Sequence, residues 1–330
     1  MNEKIRWGIL GTGRIARAFA EGLKFTNNGT LNAISSRNKL SAQKFADEWK
    51  IPYAYSSYQE MAKSEVIDAV YIATPHTEHA KNSILCMENG KAVLCEKPFA
   101  VNADQVSAMI ETARQKNILL MEGMWSRFPP LMQEIRKMIN ENIIGEVRTI
   151  FADFGFKPEK KDLNNRLFNP NLAGGSLLDV GIYPVSFSFM LNGKPDSFTT
   201  DWTCGESGID EQASVNLKYS NGSMAILHSS LQSDTPQEAF ISGTEGSIRI
   251  HKQCWKPQKA TITSNKNSKT KIIEIPFVGN GFNYEAEHFG QLLLNGFKES
   301  DILPLNESLD IISLLDEIRK SWSLAYPFEK

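Results

Sequence analysis

The run Ile5-Arg6-Trp7-Gly8-Ile9-Leu10 passes directly into Gly11-Thr12-Gly13-Arg14-Ile15-Ala16, and this junction constrains the fold more than any other feature of the chain. A six-residue stretch that is apolar apart from Arg6 reads as a strand. Beyond the glycines, Ile15, Ala16, Phe19, Ala20 and Leu23 recur on one helical face. A strand that turns through glycines into an amphipathic helix opens a βαβ unit of the kind that seats a dinucleotide pyrophosphate on the helix N-terminus. Gly11 permits the tight turn, Gly13 lets the backbone approach the pyrophosphate, and Ala16 allows close helix packing. Arg14 and Ile15, at the first helical positions, belong to the same phosphate-facing set. A glycine-rich connector with no ligand is the competing reading, and the strand and helix on either side weigh against it.

The alternation continues. Strands are expected at Leu31 to Ser35, Ala69 to Ala73, Ala92 to Cys95 and Ile118 to Met121, with a short extended segment at Tyr53 to Tyr55. Helices fall between them at Leu40 to Trp49, Glu78 to Asn89 and Ala103 to Lys116, the last opened by an Asn102/Gln105 capping box. This pattern predicts an α/β fold that begins with a doubly wound parallel sheet, a Rossmann domain over residues 1–122. With 330 residues, the chain exceeds what one core usually accommodates, so a second domain is expected over 123–330. There the pattern changes to a long strand at Val147 to Phe156, a hairpin signal at Ser220-Asn221-Gly222-Ser223 and a further turn at Gly246. With helices at Leu177 to Met190, Tyr284 to Phe297 and Glu307 to Leu324, it reads as an α+β domain built on a largely antiparallel, open-faced sheet.

Composition narrows the partners. Thirty-six Lys+Arg against 38 Asp+Glu give a formal charge of -2, so there is no basic footprint for nucleic acid and no polybasic membrane signal. The least charged stretch, Asn169 to Asn192, is interrupted by Asp179, Pro170 and Pro184 and is not expected to span a membrane. Cys86, Cys95, Cys204 and Cys254 are scattered, without the spacing of a zinc site or a disulfide framework, and no metal is expected. The N-terminal apolar stretch is too short for a signal peptide. The expectation is a cytoplasmic protein with a small-molecule substrate.

The second strand ends in Ser35-Ser36-Arg37, where an NAD-specific site usually places an acid on the ribose hydroxyls. Ser36 can hydrogen-bond a 2'-phosphate and Arg37 can pair with it, which favours NADP(H) while leaving NAD(H) possible. Two further strand ends carry Thr74-Pro75-His76-Thr77-Glu78-His79 and Glu96-Lys97-Pro98. Ligands of open α/β sheets bind at such carboxyl ends, so Thr74, His76, Glu96 and Lys97 are placed at the nicotinamide half of the cofactor, with Pro75 and His79 beside them. For His76 and His79 a purely local turn role is equally open.

The Gly11 fingerprint, Thr74-Pro75, Glu96-Lys97-Pro98 and Gly174-Gly175-Ser176-Leu177-Leu178-Asp179-Val180-Gly181-Ile182-Tyr183 together resemble the Gfo/Idh/MocA oxidoreductase family, across both domains. Tyr183, at a position that more commonly holds His, and Met124-Trp125-Ser126-Arg127-Phe128 make the chain similar to the branch containing dimeric dihydrodiol dehydrogenase, glucose-fructose oxidoreductase and NADP-dependent xylose dehydrogenases. The resemblance implies Lys97 and Tyr183 as the catalytic pair with Asp179 beside them, and Trp125 and Phe154 as substrate-pocket walls. It also implies Trp125 and Arg127 on the cofactor side, a cis Lys97-Pro98 bond, and a homodimer or larger homo-oligomer formed through the second domain's sheet.

The chemistry fits those residues. Hydride transfer to a carbonyl needs a proton donor, and a phenol of ordinary pKa near 10 serves near neutrality only where a neighbouring ammonium stabilises its phenolate. Lys97 can do this for Tyr183, and Asp179, four residues earlier, can orient Lys97 or a substrate hydroxyl. The expected reaction is NADP(H)-linked oxidation of a secondary alcohol on a sugar, polyol or cyclic diol, or the reverse reduction. The rival from another class is a dinucleotide-sensing regulator without turnover, against which Lys97, Asp179 and Tyr183 argue. A methyltransferase with a similar glycine loop is disfavoured by the missing ribose acid at Ser36-Arg37.

Overall fold

In the computed structural model, which describes residues 4–329, β1 (Ile5–Leu10) buries Ile5, Trp7, Ile9 and Leu10 and turns through Gly11–Gly13 into α1 (Arg14–Leu23). The alternation then follows as β2 (Gly29–Ser35), α2 (Lys39–Trp49), β3 (Tyr53–Tyr55), α3 (Tyr58–Ala62), β4 (Ala69–Ile72), α4 (His79–Glu88), β5 (Ala92–Glu96), α5 (Ala103–Lys116) and β6 (Leu120–Gly123). Local chemistry sets several of these boundaries. Asn38 caps α2 by accepting from Ser41 N, and Asn102 caps α5 by accepting from Gln105 N at 3.0 Å, as the capping box predicts. Gly90 takes φ +78 directly after α4, the left-handed turn that ends a helix without a Cβ clash. All six strands are parallel in the order β3-β2-β1-β4-β5-β6. The order reverses between β1 and β4, so the loops after β1, β2, β4 and β5 open at one carboxyl edge, where such sheets bind ligands.

The remainder comprises α6 (Pro130–Asn140), β7 (Val147–Gly155), a π-helical turn at Leu177–Gly181, α7 (Ile182–Asn192), β8 (Ser197–Cys204), β9 (Asp210–Lys218), β10 (Met224–Ser230), β11 (Ala239–Gly243), β12 (Gly246–Ile250), β13 (Lys259–Ser264), β14 (Thr270–Glu274), α8 (Phe282–Leu294) and α9 (Leu305–Ser321). The eight later strands form one sheet in the order β14-β13-β12-β11-β7-β10-β9-β8. Every pairing is antiparallel except β7 with β10. Alternation does the sorting along β10, where Ala225 and Leu227 are buried while Met224 and Ile226 face out at 45% and 41% exposure. α7 packs on β7 and β10 from the buried side. The stretch Pro170–Asn192 is long and apolar enough to cross a membrane, but 83% of its most apolar window is buried within the chain, the situation of a core helix.

Two compact units result: Met1–Phe128 with Phe277–Leu309, and Pro129–Pro276 with Asp310–Lys330. The sequence reading places one cut at 122/123, whereas Phe277–Leu309 packs with the first unit. Its reason is apolar. Trp7 meets Phe289 of α8 at 4.9 Å and Phe19 of α1 at 5.2 Å, while Gly22 of α1 lies close against Phe282 and Asn283 at the start of α8 and Gly290 of α8 lies close against the Asn28 side chain. A Cβ at Gly22 would stand 2.8 Å from Phe282 Cβ.

Candidate active site

In the first unit, the turn after β1 is built for close approach. Gly11 has φ +105, and a Cβ there would lie 2.6 Å from the Ala73 carbonyl oxygen, so only glycine fits. At Gly13 an added Cβ would meet nothing within 4 Å, leaving open space in front of α1. No side chain caps this helix and no acid occupies its first turn, so its leading N–H groups suit an anion. Arg14 is exposed and Ile15 half-buried at its start. This cradle fits a dinucleotide pyrophosphate. Past β2, Ser36 is half-buried and its hydroxyl accepts from Asn38 N at 3.3 Å, while Arg37 is exposed. Arg37 borders a cavity of about 710 Å³ also lined by Ser57, Tyr58, Glu78 and Lys81.

The loops after β4 and β5 are tied to one another. His79 is 1% exposed, with Nδ1 2.8 Å from Pro98 O and Nε2 3.0 Å from Thr74 O. His79 thus forms a buried link between the two loops. Burial drives this ring's pKa down to about 4 against the two carbonyls, which favour charge. Thr74 is buried and its hydroxyl accepts from Asn82 Nδ2 at 3.3 Å; Pro75 and His76 remain half-buried, with the His76 ring edge-on to His79 at 5.6 Å. Glu96 is 4% exposed and accepts from the Tyr71 hydroxyl. Lys97 is half-buried and the Lys97-Pro98 bond is cis. From β6, Glu122 accepts from Phe99 N at 3.2 Å, with burial pushing its carboxyl up to about 7. Glu285 of α8 is buried near Glu96, and burial together with that neighbour raises its pKa well above the ordinary carboxyl range.

Trp125 stacks on Phe282 at 4.7 Å and 10°, above Gly281, whose positive φ and lack of Cβ let the ring sit close. Arg127, expected on the cofactor, is 2% exposed and donates from Nη2 to Glu307 Oε1 at 2.7 Å. Its charge is balanced by this ion pair.

The second unit holds the other candidates. Tyr183, the second residue of α7, is half-buried, and its ring lies 5.4 Å from Phe154 of β7. Phe154 in turn stacks on Trp255 at 3.6 Å and 7°. Trp255 is absent from the sequence candidates because one aromatic in a loop carries no period. Asp179 sits in the π-helical turn, 6% exposed, and its Oδ1 accepts from Arg166 Nη1 at 2.8 Å. Arg166 is also missed by sequence reasoning, for the same reason. Its stretch of the loop after β7, residues 157–169, is largely polar and carries no motif. π-helical turns recur at functional sites, and here one carries Asp179 and runs directly into the regular helix that begins at Ile182.

A doubly wound parallel sheet whose first strand turns through an open glycine cradle into an uncapped helix defines a dinucleotide-binding domain. Residues 5–124 match the oxidoreductase family with NAD-binding Rossmann fold, and residues 132–249 match the GFO/IDH/MocA C-terminal domain. A trans-1,2-dihydrobenzene-1,2-diol dehydrogenase of Xenopus tropicalis is 39% identical over 98% of this chain and 99% of its own length. The Homo sapiens protein of the same name is 34% identical over 99% of each. Among solved structures, an aldose-aldose oxidoreductase from Caulobacter crescentus shares the fold with a TM-score of 0.87 at 23% identity, covering 97% of each chain. The chain belongs to the Gfo/Idh/MocA family and is an oxidoreductase acting on CH–OH groups.

Proposed function

We propose that this chain transfers a hydride between NADP(H) and a secondary alcohol or its carbonyl on a sugar, polyol or cyclic diol, in the cytoplasm, as a homodimer or larger homo-oligomer. NADP(H) is the preferred cofactor and NAD(H) a weaker one, since Arg37 is exposed at the end of β2 where a ribose-binding acid would stand. Relatives that match end to end and are named dihydrodiol dehydrogenases support a cyclic diol within that class. The observation that carries the reading is Tyr183, half-buried, with Phe154 and Trp255 forming an aromatic wall beside it and Arg166-held Asp179 one turn earlier.

Bound cofactor supplies or accepts the hydride. Gly11, Gly13 and the start of α1 would hold its pyrophosphate, with Arg14 and Ile15 at the cradle's edge, and Ser36 and Arg37 would take the 2'-phosphate. Thr74, Pro75, His76, Glu96 and Trp125 would border its nicotinamide half, and His79 holds the loops in place. In oxidation, Tyr183 as phenolate takes the hydroxyl proton while the substrate carbon loses its hydride; in reduction the phenol returns that proton to the developing alkoxide. Lys97 stabilises the phenolate. Asp179 orients a substrate hydroxyl, and Phe154, Trp255 and Trp125 give an apolar face to the ring carbons.

Steady-state assays over a panel of aldoses, polyols and dihydrodiols test this reading. Lys97→Met and Tyr183→Phe are each expected to lower kcat at least about a hundredfold, with the NADPH Kd unchanged within about twofold. Normal turnover in either variant removes that residue from the mechanism.

A further inference from the structure

Within the second unit, the segment that leads into the candidate catalytic helix is held by polar contacts that no apolar packing requires. Gly175 has φ +132, and a Cβ there would lie 2.1 Å from Asp210 Oδ1. Asp210, the first residue of β9, is fully buried. Its Oδ2 accepts from Leu177 N at 2.6 Å and from the Ser176 hydroxyl at 2.9 Å, and Ser176 Oγ also lies 3.0 Å from Ser229 Oγ of β10. A second hold comes from far along the chain. Tyr326 is fully buried and donates its hydroxyl to the Gly174 carbonyl at 2.9 Å. It is fastened in turn: its N–H donates to Glu329 Oε2 at 3.0 Å, and the Arg319 guanidinium lies 4.7 Å from its ring centre. Arg319 donates to Glu329 at 2.8 Å and to Asp316 at 2.6 Å.

Burying an aspartate, a tyrosine hydroxyl and an arginine is costly, and apolar side chains of similar volume commonly stabilise as well or better. What a hydrogen bond adds is direction. Apolar packing tolerates small slides and rotations of a helix, whereas bonds to Gly174 O and Leu177 N fix two points of backbone three residues apart. Both points lie just before Asp179, and Tyr183 follows within the next turn and a half.

We propose that Tyr326 and Asp210 are positioning residues for the reaction, setting the register of the π-helical turn and thereby the placement of Asp179 and Tyr183. This rests on the reading of Tyr183 as the acid-base group. Tyr326→Phe removes one hydroxyl and keeps the ring. Assayed in the full chain, it is expected to lower kcat about tenfold, because small misplacements of a reacting group are expensive, while KM and the NADPH Kd stay within about twofold. A kcat within about twofold of the parent overturns the proposal, and so does a parallel loss of kcat, KM and NADPH binding, which marks general loosening. Should Tyr326→Phe not fold, Glu329→Gln loosens the same clasp and is judged by the same outcomes. Tyr183→Phe in the same assay separates the layers. Full turnover there sinks the acid-base reading and this proposal together, whereas an inactive Tyr183→Phe beside a fully active Tyr326→Phe sinks the positioning role alone.

Discussion

Arg37 follows a buried strand end with its side chain exposed, where surface placement makes it worth little to stability. Its proposed value lies in a ligand. Arg37→Ala is expected to raise the Kd for NADPH about tenfold or more and that for NADH less than twofold, since a charge-assisted pair with phosphate contributes about 1.5–3 kcal/mol. Cofactor fluorescence titrations measure both, and equal weakening of the two defeats the 2'-phosphate assignment. Gly11 is legible in sequence because its meaning is local: a glycine at a strand-helix junction needs no distant partner. His79 and Arg127 show the opposite. A histidine or arginine after a strand has the same spelling whether it faces a cleft or is sealed against backbone or a carboxylate.

At the scale of elements, His79 links the loops after β4 and β5, and Glu122 of β6 supports the second of them through Phe99 N. Their titrations run in opposite senses. The folded-state pKa of His79 lies near 4, below its unfolded 6.5, so its contribution is intact above pH 6.5. That contribution is lost as pH falls toward 4, when only the unfolded chain takes the proton. The full difference is of the order of 3 kcal/mol. Glu122, raised to about 7, favours the folded state below its unfolded value of 4.5 and loses that contribution as pH rises through 7. Comparing His79→Phe with the parent isolates the histidine: urea unfolding at pH 7 and pH 4.5 should show the parent losing more stability on acidification than the variant, by about 2–3 kcal/mol. Equal losses would mean that His79 is not held neutral.

Over the whole molecule, strand alternation leaves Phe151, Met224, Ile226 and Phe240 between 36% and 45% exposed on the second sheet. A cluster of that kind favours self-association through a symmetric contact. Solution mass measurement is expected to give at least twice the chain mass, and Ile226→Lys is expected to shift the protein toward monomer. A monomeric parent at micromolar concentration would refute the sheet-mediated oligomer.

The family resemblance named Lys97, Asp179 and Tyr183 as candidates, while periodicity, glycine placement and the run of strand-end motifs determined, without coordinates, the parallel sheet, the glycine cradle and the largely antiparallel second sheet. These follow from interactions between residues a few positions apart, whose pattern is written along the chain. Only the tertiary structure decided that Phe277–Leu309 packs with the first unit and that Arg166 holds Asp179. It likewise decided that Trp255 covers Phe154 and that Tyr326 fastens Gly174. Each of these depends on burial and on partners brought together by folding, and neither quantity belongs to a residue until its neighbours arrive.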